Sequence, residues 1–238
     1  MRISLKTTLI ILVVGLSFFY YYVPMKIVSA SNIFLTISTF LFATFAGFFI
    51  TRQGQRYSSI RDQISIFDGA VSSMYRSFGH ISKEIQEKAK KILETHYLKI
   101  LKNKAWDYHF THKSNTITSL HYLCSDFLKD KTFKSLSHLS IGRILESLEQ
   151  MQIARKNMIA LHNERVPFFQ YVLIYFLALL LLITLSVIPS QFNILESVLK
   201  GAFSTCIIFI VLLLREFDSL RFFEGVIGEH SAQDILDI

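Results

Sequence analysis

The sequence predicts an all-α integral membrane protein, with four transmembrane helices and a cytoplasmic helical domain inserted between the second and third spans. Three observations predict it. Hydrophobic residues make up 51% of the 238-residue chain and the mean hydropathy is +0.40, well above an ordinary soluble domain. Four apolar stretches, at about residues 7–23, 33–50, 168–188 and 198–214, each approach the length of a bilayer-spanning helix and hold no ionisable group at depth. The net charge of +7 is unevenly placed, with 19 Lys/Arg against 11 Asp/Glu in residues 51–166 and two against six after Leu214.

The cations orient the chain. Arg2 and Lys6 precede the first stretch, Arg52, Arg56 and Arg61 follow the second, Arg155, Lys156 and Arg165 precede the third, and Arg215 follows the fourth. The two short connections hold only Lys26, and Glu196 with Lys200. By the positive-inside rule, both termini and the long middle segment are expected in the cytoplasm. A basic balance also raises nucleic acid as a partner. Here the cations flank apolar spans, so the partner is the lipid bilayer and no nucleic acid is expected. Cys124 and Cys206 lie in different segments, facing a reducing compartment, and no disulfide is expected.

Four segments follow in order. Residues 1–50 form a transmembrane hairpin, 51–166 a cytoplasmic helical domain, 167–214 a second hairpin and 215–238 an acidic cytoplasmic tail. The first span, Thr7 to Val23, ends at Pro24. Arg2, Lys6 and Val28-Ser29-Ala30 also fit a cleavable signal peptide. Against that, the apolar run is about 17 residues and closes in Tyr20-Tyr21-Tyr22, which reads better as an interfacial aromatic belt. Asn32 is positioned to cap the second span.

That span, Ile33 to Ile50, carries no charge and as a helix is about 27 Å long, close to a hydrocarbon core. With residues placed about 100° apart, Phe34, Ile37, Leu41, Phe45 and Phe48 share one stripe, which Arg52 and Arg56 continue. Thr36, Thr39, Ala43 and Gly47 form an opposite face of small residues that permits close helix packing. The bulky stripe is read in two ways. It lines a neck with cations at its mouth, which requires a cyclic oligomer, or it faces lipid and ends in snorkelling arginines.

No proline interrupts residues 25–166, and Ile60, Ile64, Phe67, Val71, Met74 and Phe78 recur at helical spacing, so the second helix is expected to run on to a break at Gly79. A lysine-rich amphipathic helix over residues 82–109 follows, with Ile81, Ile85, Ala89, Ile92, His96 or Tyr97, and Ile100 on its apolar face. Its basic face is read as a solvated surface or as one docked on anionic headgroups. Shorter and longer helices are expected from about Ile117 to Leu128 and from Leu136 to Val166, separated by a polar loop beginning at Lys129. The longer one carries Ile141, Ile144, Leu145, Leu148, Met151, Met158 and Ile159 as its core positions. Pro167 opens the third span and Pro189 ends it; the fourth begins near Ser197, with Gly201, Ala202, Ser204 and Thr205 on its outer half.

Enzyme signatures are missing: no Walker loop, no G-x-S-x-G, no H-E-x-x-H and no C-x-x-C. No catalytic residues and no cofactor are expected. The absence of ionisable groups deep in the spans argues against transporters driven by protons or sodium. A weak metal candidate remains in His109-x-x-His112 and His121-x-x-Cys124, although Lys113 beside the first pair opposes a cation.

Several short features bring a family into view. These are Ala46-Gly47-Phe48 closing the second span, Asp68-Gly69 before Tyr75-Arg76, Tyr97 before Trp106-Asp107, Arg155 ahead of Pro167, and Asp218 with Phe223-Glu224-Gly225 after the last span. Together they resemble the bacterial bestrophin-like membrane proteins, a family of unassigned function distantly related to bestrophin anion channels. The tail departs from the family pattern Leu-Asp-x-Pro-Phe-x-Gly: Phe217 replaces the Leu, Phe222 stands at the proline, and two extra residues separate Asp218 from Gly225. The resemblance implies a homo-oligomer of a bacterial inner membrane, a pentamer among the possible assemblies, with second spans around an axis and small anions as permeant partners. Ile37, Leu41 and Phe45 match the apolar neck of bestrophins, Phe48 extends it, and Arg52 and Arg56 would attract anions at its mouth. No acidic cluster maps onto a bestrophin calcium site. The rival expectation is a non-conducting membrane scaffold or sensor whose cytoplasmic helices bind a partner or anionic lipid.

Overall fold

Helices account for all the regular secondary structure in the computed structural model, which describes residues 5–22, 31–103, 107–112, 114–129, 135–188 and 194–220. In chain order they are α1 (Leu5–Tyr22), α2 (Ser31–Ile81), α3 (Lys83–Asn103), α4 (Tyr108–Thr111), α5 (Thr116–Lys129), α6 (Ser135–Asn163), α7 (Phe168–Val187) and α8 (Ile194–Asp218). Three helical segments among the described residues, Ile33–Ile81, Phe168–Val187 and Ile194–Asp218, are long and apolar enough to cross a membrane. The first expected span is the 18-residue α1; its side chains at residues 5–10, the connection after it and the Asn32 side chain lie outside the described ones. The chain divides into two compact units.

The first unit comprises Met1–Gly54 and Arg165–Ser219. In it α1 and α7 both pack on α8. Phe42, Ala46 and Phe49 of α2 are buried with Ile174, Leu177 and Leu181 of α7 and with Ile207 and Leu214 of α8. Backbone approach between α1 and α8 is close at one point. A Cβ built on Gly201 would fall onto the Ser17 side chain and within 2.8 Å of the Ser17 backbone nitrogen, so only glycine permits this crossing.

α8 starts at Ile194, so Glu196 and Lys200, expected in the connection, are both helical, and Lys200 falls within the apolar stretch 198–214. Lys200 is only 6% exposed. Its Nζ donates to the Ile188 carbonyl at 2.7 Å and pairs with Glu196 Oε1 at 3.3 Å. A cation at the end of α7 is thus stabilised by the helix dipole and by an i,i+4 partner. Pro189, the expected end of the third span, lies outside the described residues.

The second unit comprises Gln55–Glu164 and Leu220–Ile238. Its core follows the predicted periodicity. Phe67, Val71, Met74 and Phe78 of α2 meet Ile85, Ala89, Tyr97 and Ile100 of α3, joined by Leu120 and Cys124 of α5. From α6 come Ile141, Ile144, Leu148, Met151 and Met158, whereas Leu145, expected in the core, is 42% exposed. Leu220, with φ 56°, holds a left-handed conformation costly for leucine, and buries its side chain against Ile60, Tyr57 and Leu161.

Helix ends differ from expectation for local reasons. α2 continues past Gly79 to Ile81; the Gln86 side chain lies over Gly79, and the break falls at Ser82, whose Oγ accepts the Glu84 N–H at 3.2 Å. α3 ends at Asn103 instead of near residue 109, and Trp106 lies outside the described residues. α6 stops at Asn163, short of Val166. Pro167 disfavours helical backbone at Val166, and the Val166 N–H is taken by Asp218 Oδ1 at 2.8 Å.

Candidate functional site

The first half of α2 presents three stripes. Within the first unit it packs by Ser38, Phe42, Ala46 and Phe49, all buried, with Gln53 buried one turn on. Taking Phe34 as the origin, this packed stripe is centred at about 80°, between the two faces that sequence patterning distinguishes. The small-residue face is therefore not the contact used inside the chain: Thr36, Ala43 and Gly47 are exposed, Thr39 is half-buried, and a Cβ on Gly47 would meet nothing within 4 Å. Bulk explains the difference, since Phe42 and Phe49 fill the space before α7 and α8 that small side chains would leave empty.

The expected gate residues divide. Ile37 is 51% exposed, Leu41 37% and Phe48 59%, forming an apolar ridge that is left exposed among the described residues. Phe45, at about 20° on the same scale, is turned toward the packed stripe. It is half-buried against that core, its ring stacked on Phe49 at 6.3 Å. Phe34 and Phe40 are also exposed.

The two arginines have different surroundings. Arg52 is half-exposed. Arg56, in the second unit, is only 5% exposed, and donates from Nε to the Leu161 carbonyl at 2.7 Å and from Nη2 to the His162 carbonyl at 2.9 Å. A planar guanidinium fits these carbonyls at the C-terminus of α6, where orphan acceptors and the negative dipole end both favour a cation. Its charge is thus committed to the fold.

Residues that carry the resemblance form hydrogen bonds within their units. Tyr97 donates to Asp68 Oδ1 at 2.6 Å, and burial, then the Asp68 charge and hydrogen bond, raise the Tyr97 pKa. Asp107 lies 3.2 Å from His162 Nε2, and Asp218 accepts the Val166 N–H. Helical periodicity gave no signal for these pairs, which join residues 29 to 55 positions apart in sequence.

The metal candidate is not brought together. His109 is buried and stacks on His96, with ring centroids 3.7 Å apart and planes 10° from parallel, while its Nε2 donates to the His96 carbonyl at 2.8 Å. Burial first, then His109, Lys99 and Arg155, push the His96 pKa down to about 3; burial also lowers that of His109. Both rings are therefore neutral near pH 7. His112 is exposed and stacked on Tyr108, His121 is exposed, and Cys124 sits in the core. Among the described residues no group of three or more His, Cys, Asp or Glu is placed to hold a metal.

Known families decide the relationship: the Bestrophin-like domain model matches residues 8–227. The chain belongs to the bestrophin-like family. The match takes in every residue described above as lining the α2 ridge, holding the end of α6 or joining Asp68 to Tyr97. No curated protein and no solved structure matches the chain. Among its described residues the bestrophin-like chain is thus helical, with helices suited to a membrane and an exposed apolar ridge on α2.

Proposed function

We propose that this bestrophin-like protein is a homo-oligomeric, anion-preferring ion channel of a bacterial inner membrane, gated by an apolar ring on α2. The observation that carries this reading is the ridge of Ile37, Leu41 and Phe48, large apolar side chains left exposed beside a stripe that is packed. In a cyclic assembly the ridges of several copies face a common axis, and an apolar constriction controls conduction by dewetting. Thr36, Thr39, Ala43 and Gly47 then meet the neighbouring copy, where small side chains permit close approach. Phe45 supports the ridge from behind, and Arg52 raises the local anion concentration at the mouth. Arg56 anchors α6 instead of facing the ions.

In the same reading α1 is the first of four spans, and residues 51–166 and both termini are cytoplasmic, as the placement of Lys and Arg supports. In this reading the function is conduction.

The test is water accessibility combined with selectivity. In a Cys206→Ser background, Leu41→Cys and Phe48→Cys are expected to react with a charged thiol reagent and block flux, while Phe45→Cys reacts at least ~10-fold more slowly. Arg52→Glu is expected to reduce or reverse anion preference. A non-conducting scaffold with a lipid-facing ridge gives the opposite pattern: no flux in intact oligomers and no reaction of Leu41→Cys with the charged reagent.

A further inference from the structure

Between α3 and the start of α5, inside the second unit, lies a cavity of about 450 Å³, a size that holds a small organic ligand. One wall is a helix face, Lys91, Thr95 and Lys99, each four residues from the next. The other wall is Ser114, Thr116 and Ser119, where the 14-residue α5 begins. The stacked pair His96 and His109 lines it too, and the His96 ring is fixed by its Nδ1 hydrogen bond with Thr116 Oγ1 at 2.9 Å. No carboxylate is present among the described residues lining it.

The chemistry selects the ligand. Two lysines border a concave space lined by several hydroxyls and, among the described residues, by no carboxylate, which makes its lining electropositive. The adjoining helix start adds the positive end of the α5 dipole, in the arrangement that favours anions. Lys91 and Lys99 lie about 12 Å apart along the α3 axis, so their long side chains reach one anion only by converging on it from different sides, which a planar carboxylate accommodates less well than an anion with acceptor oxygens all round. A phosphoryl group, with several acceptor oxygens, suits donors arriving from several directions. Ile92 and the Tyr108 ring supply an apolar portion of the lining for an organic moiety.

We propose that this cavity binds a phosphate-bearing small anion, its oxygens held by Lys91, Lys99 and the hydroxyls at the start of α5. Such a site would give the protein a ligand-sensing function separate from the α2 ridge. The same phosphate chemistry is offered by a soluble ester and by a phospholipid headgroup.

The full chain, reconstituted in nanodiscs of phosphatidylcholine, is titrated calorimetrically with pyrophosphate. In parallel, protein from phosphatidylglycerol-containing discs is assayed by native mass spectrometry for retained phosphatidylglycerol. Wild type is compared with a Lys91→Gln/Lys99→Gln double variant and with Lys102→Gln, an exposed lysine outside the cavity; Lys91 and Lys99 are also exposed, so the core is undisturbed. The proposal expects pyrophosphate or phosphatidylglycerol to bind wild type and Lys102→Gln alike and the double variant at least ~10-fold more weakly, a difference of the size expected from lost charge-assisted hydrogen bonds. Pyrophosphate binding assigns a soluble ligand, and phosphatidylglycerol retention a headgroup. The proposal is overturned if neither probe binds wild type, if the double variant binds as well as wild type, or if Lys102→Gln weakens binding equally.

Discussion

Replacing Arg56 by leucine separates the structural arginine from the one assigned to ions. The substitution keeps apolar volume on α2 but removes two donors, at 2.7 Å to the Leu161 carbonyl and 2.9 Å to the His162 carbonyl. Hydrogen bonds from a charged donor contribute about 1.5–3 kcal/mol each. At 5% exposure, little solvent is available to replace them. Loss of both, offset in part by water reaching the end of α6, comes to about 3–5 kcal/mol. For a chain of this length that is roughly 6–20 °C in Tm. The assay is thermal unfolding of the detergent-purified protein, read by loss of the oligomer peak in size-exclusion chromatography. Arg56→Lys keeps the charge without the planar fork and is expected to lose about half as much. Arg52→Gln, at a half-exposed position, is expected to shift Tm by less than about 3 °C. If Arg56→Leu melts within about 2 °C of wild type, or Arg52→Gln falls as far, the division of roles between the two arginines is wrong.

Three further outcomes follow from the geometry. Gly201→Ala forces a Cβ against Ser17 and is expected to destabilise by about 1–3 kcal/mol, with Ser17→Gly restoring only part of the loss because the Ser17 backbone also lies too close; thermal melts of the single and double variants check it. Tyr97→Phe removes the 2.6 Å hydrogen bond to Asp68 and is expected to cost about 1–2 kcal/mol in the same assay. His96 and His109 have folded pKa values below the ordinary histidine value, so the unfolded chain binds more protons as pH falls. Stability is then fully present above about pH 6.5 and declines below it, for His96 down to a pH of about 3, by at most about 1.4 kcal/mol per pH unit per ring. His96→Gln should flatten that decline between pH 6 and 4, and an unchanged slope would contradict it.

Much of the architecture was legible because it depends on periodicity. Apolar runs located α2, α7 and α8, and the spacing of Phe67, Val71, Met74 and Phe78 placed the α2 contribution to the second core, while Ile60, in the same series, is buried separately against Leu220. Helix ends were less legible. They depend on single contacts: the Ser82 hydroxyl that caps α3 is a local signal that Gly79 overshadowed, whereas the bond from the Val166 N–H to Asp218 joins residues that no local pattern connects. The α2 stripe was half legible. Hydrophobicity separated bulky from small residues, but it did not indicate that Phe42, Ala46 and Phe49, lying between those faces, would be the contact with α7 and α8. Arg52 and Arg56 look equivalent in sequence, one helical turn apart on one stripe. What the sequence does not show is the burial of Arg56 and its bonds to the distant carbonyls of Leu161 and His162. The histidine spacing likewise suggested ligands, whereas tertiary packing turned His109 onto His96 and left His112 and His121 in solvent. The i,i+4 series Lys91, Thr95, Lys99 was visible as a basic helix face; the cavity it borders was not, because the opposite wall comes from α5.

The most direct measurement is halide flux into liposomes containing the purified, intact oligomer, with Leu41→Ala run beside wild type. The account predicts measurable flux that discriminates against cations, and an increase in Leu41→Ala as the apolar constriction widens and wets. Absence of flux from intact oligomers of both proteins, or flux unchanged by Leu41→Ala, would contradict an α2 gate.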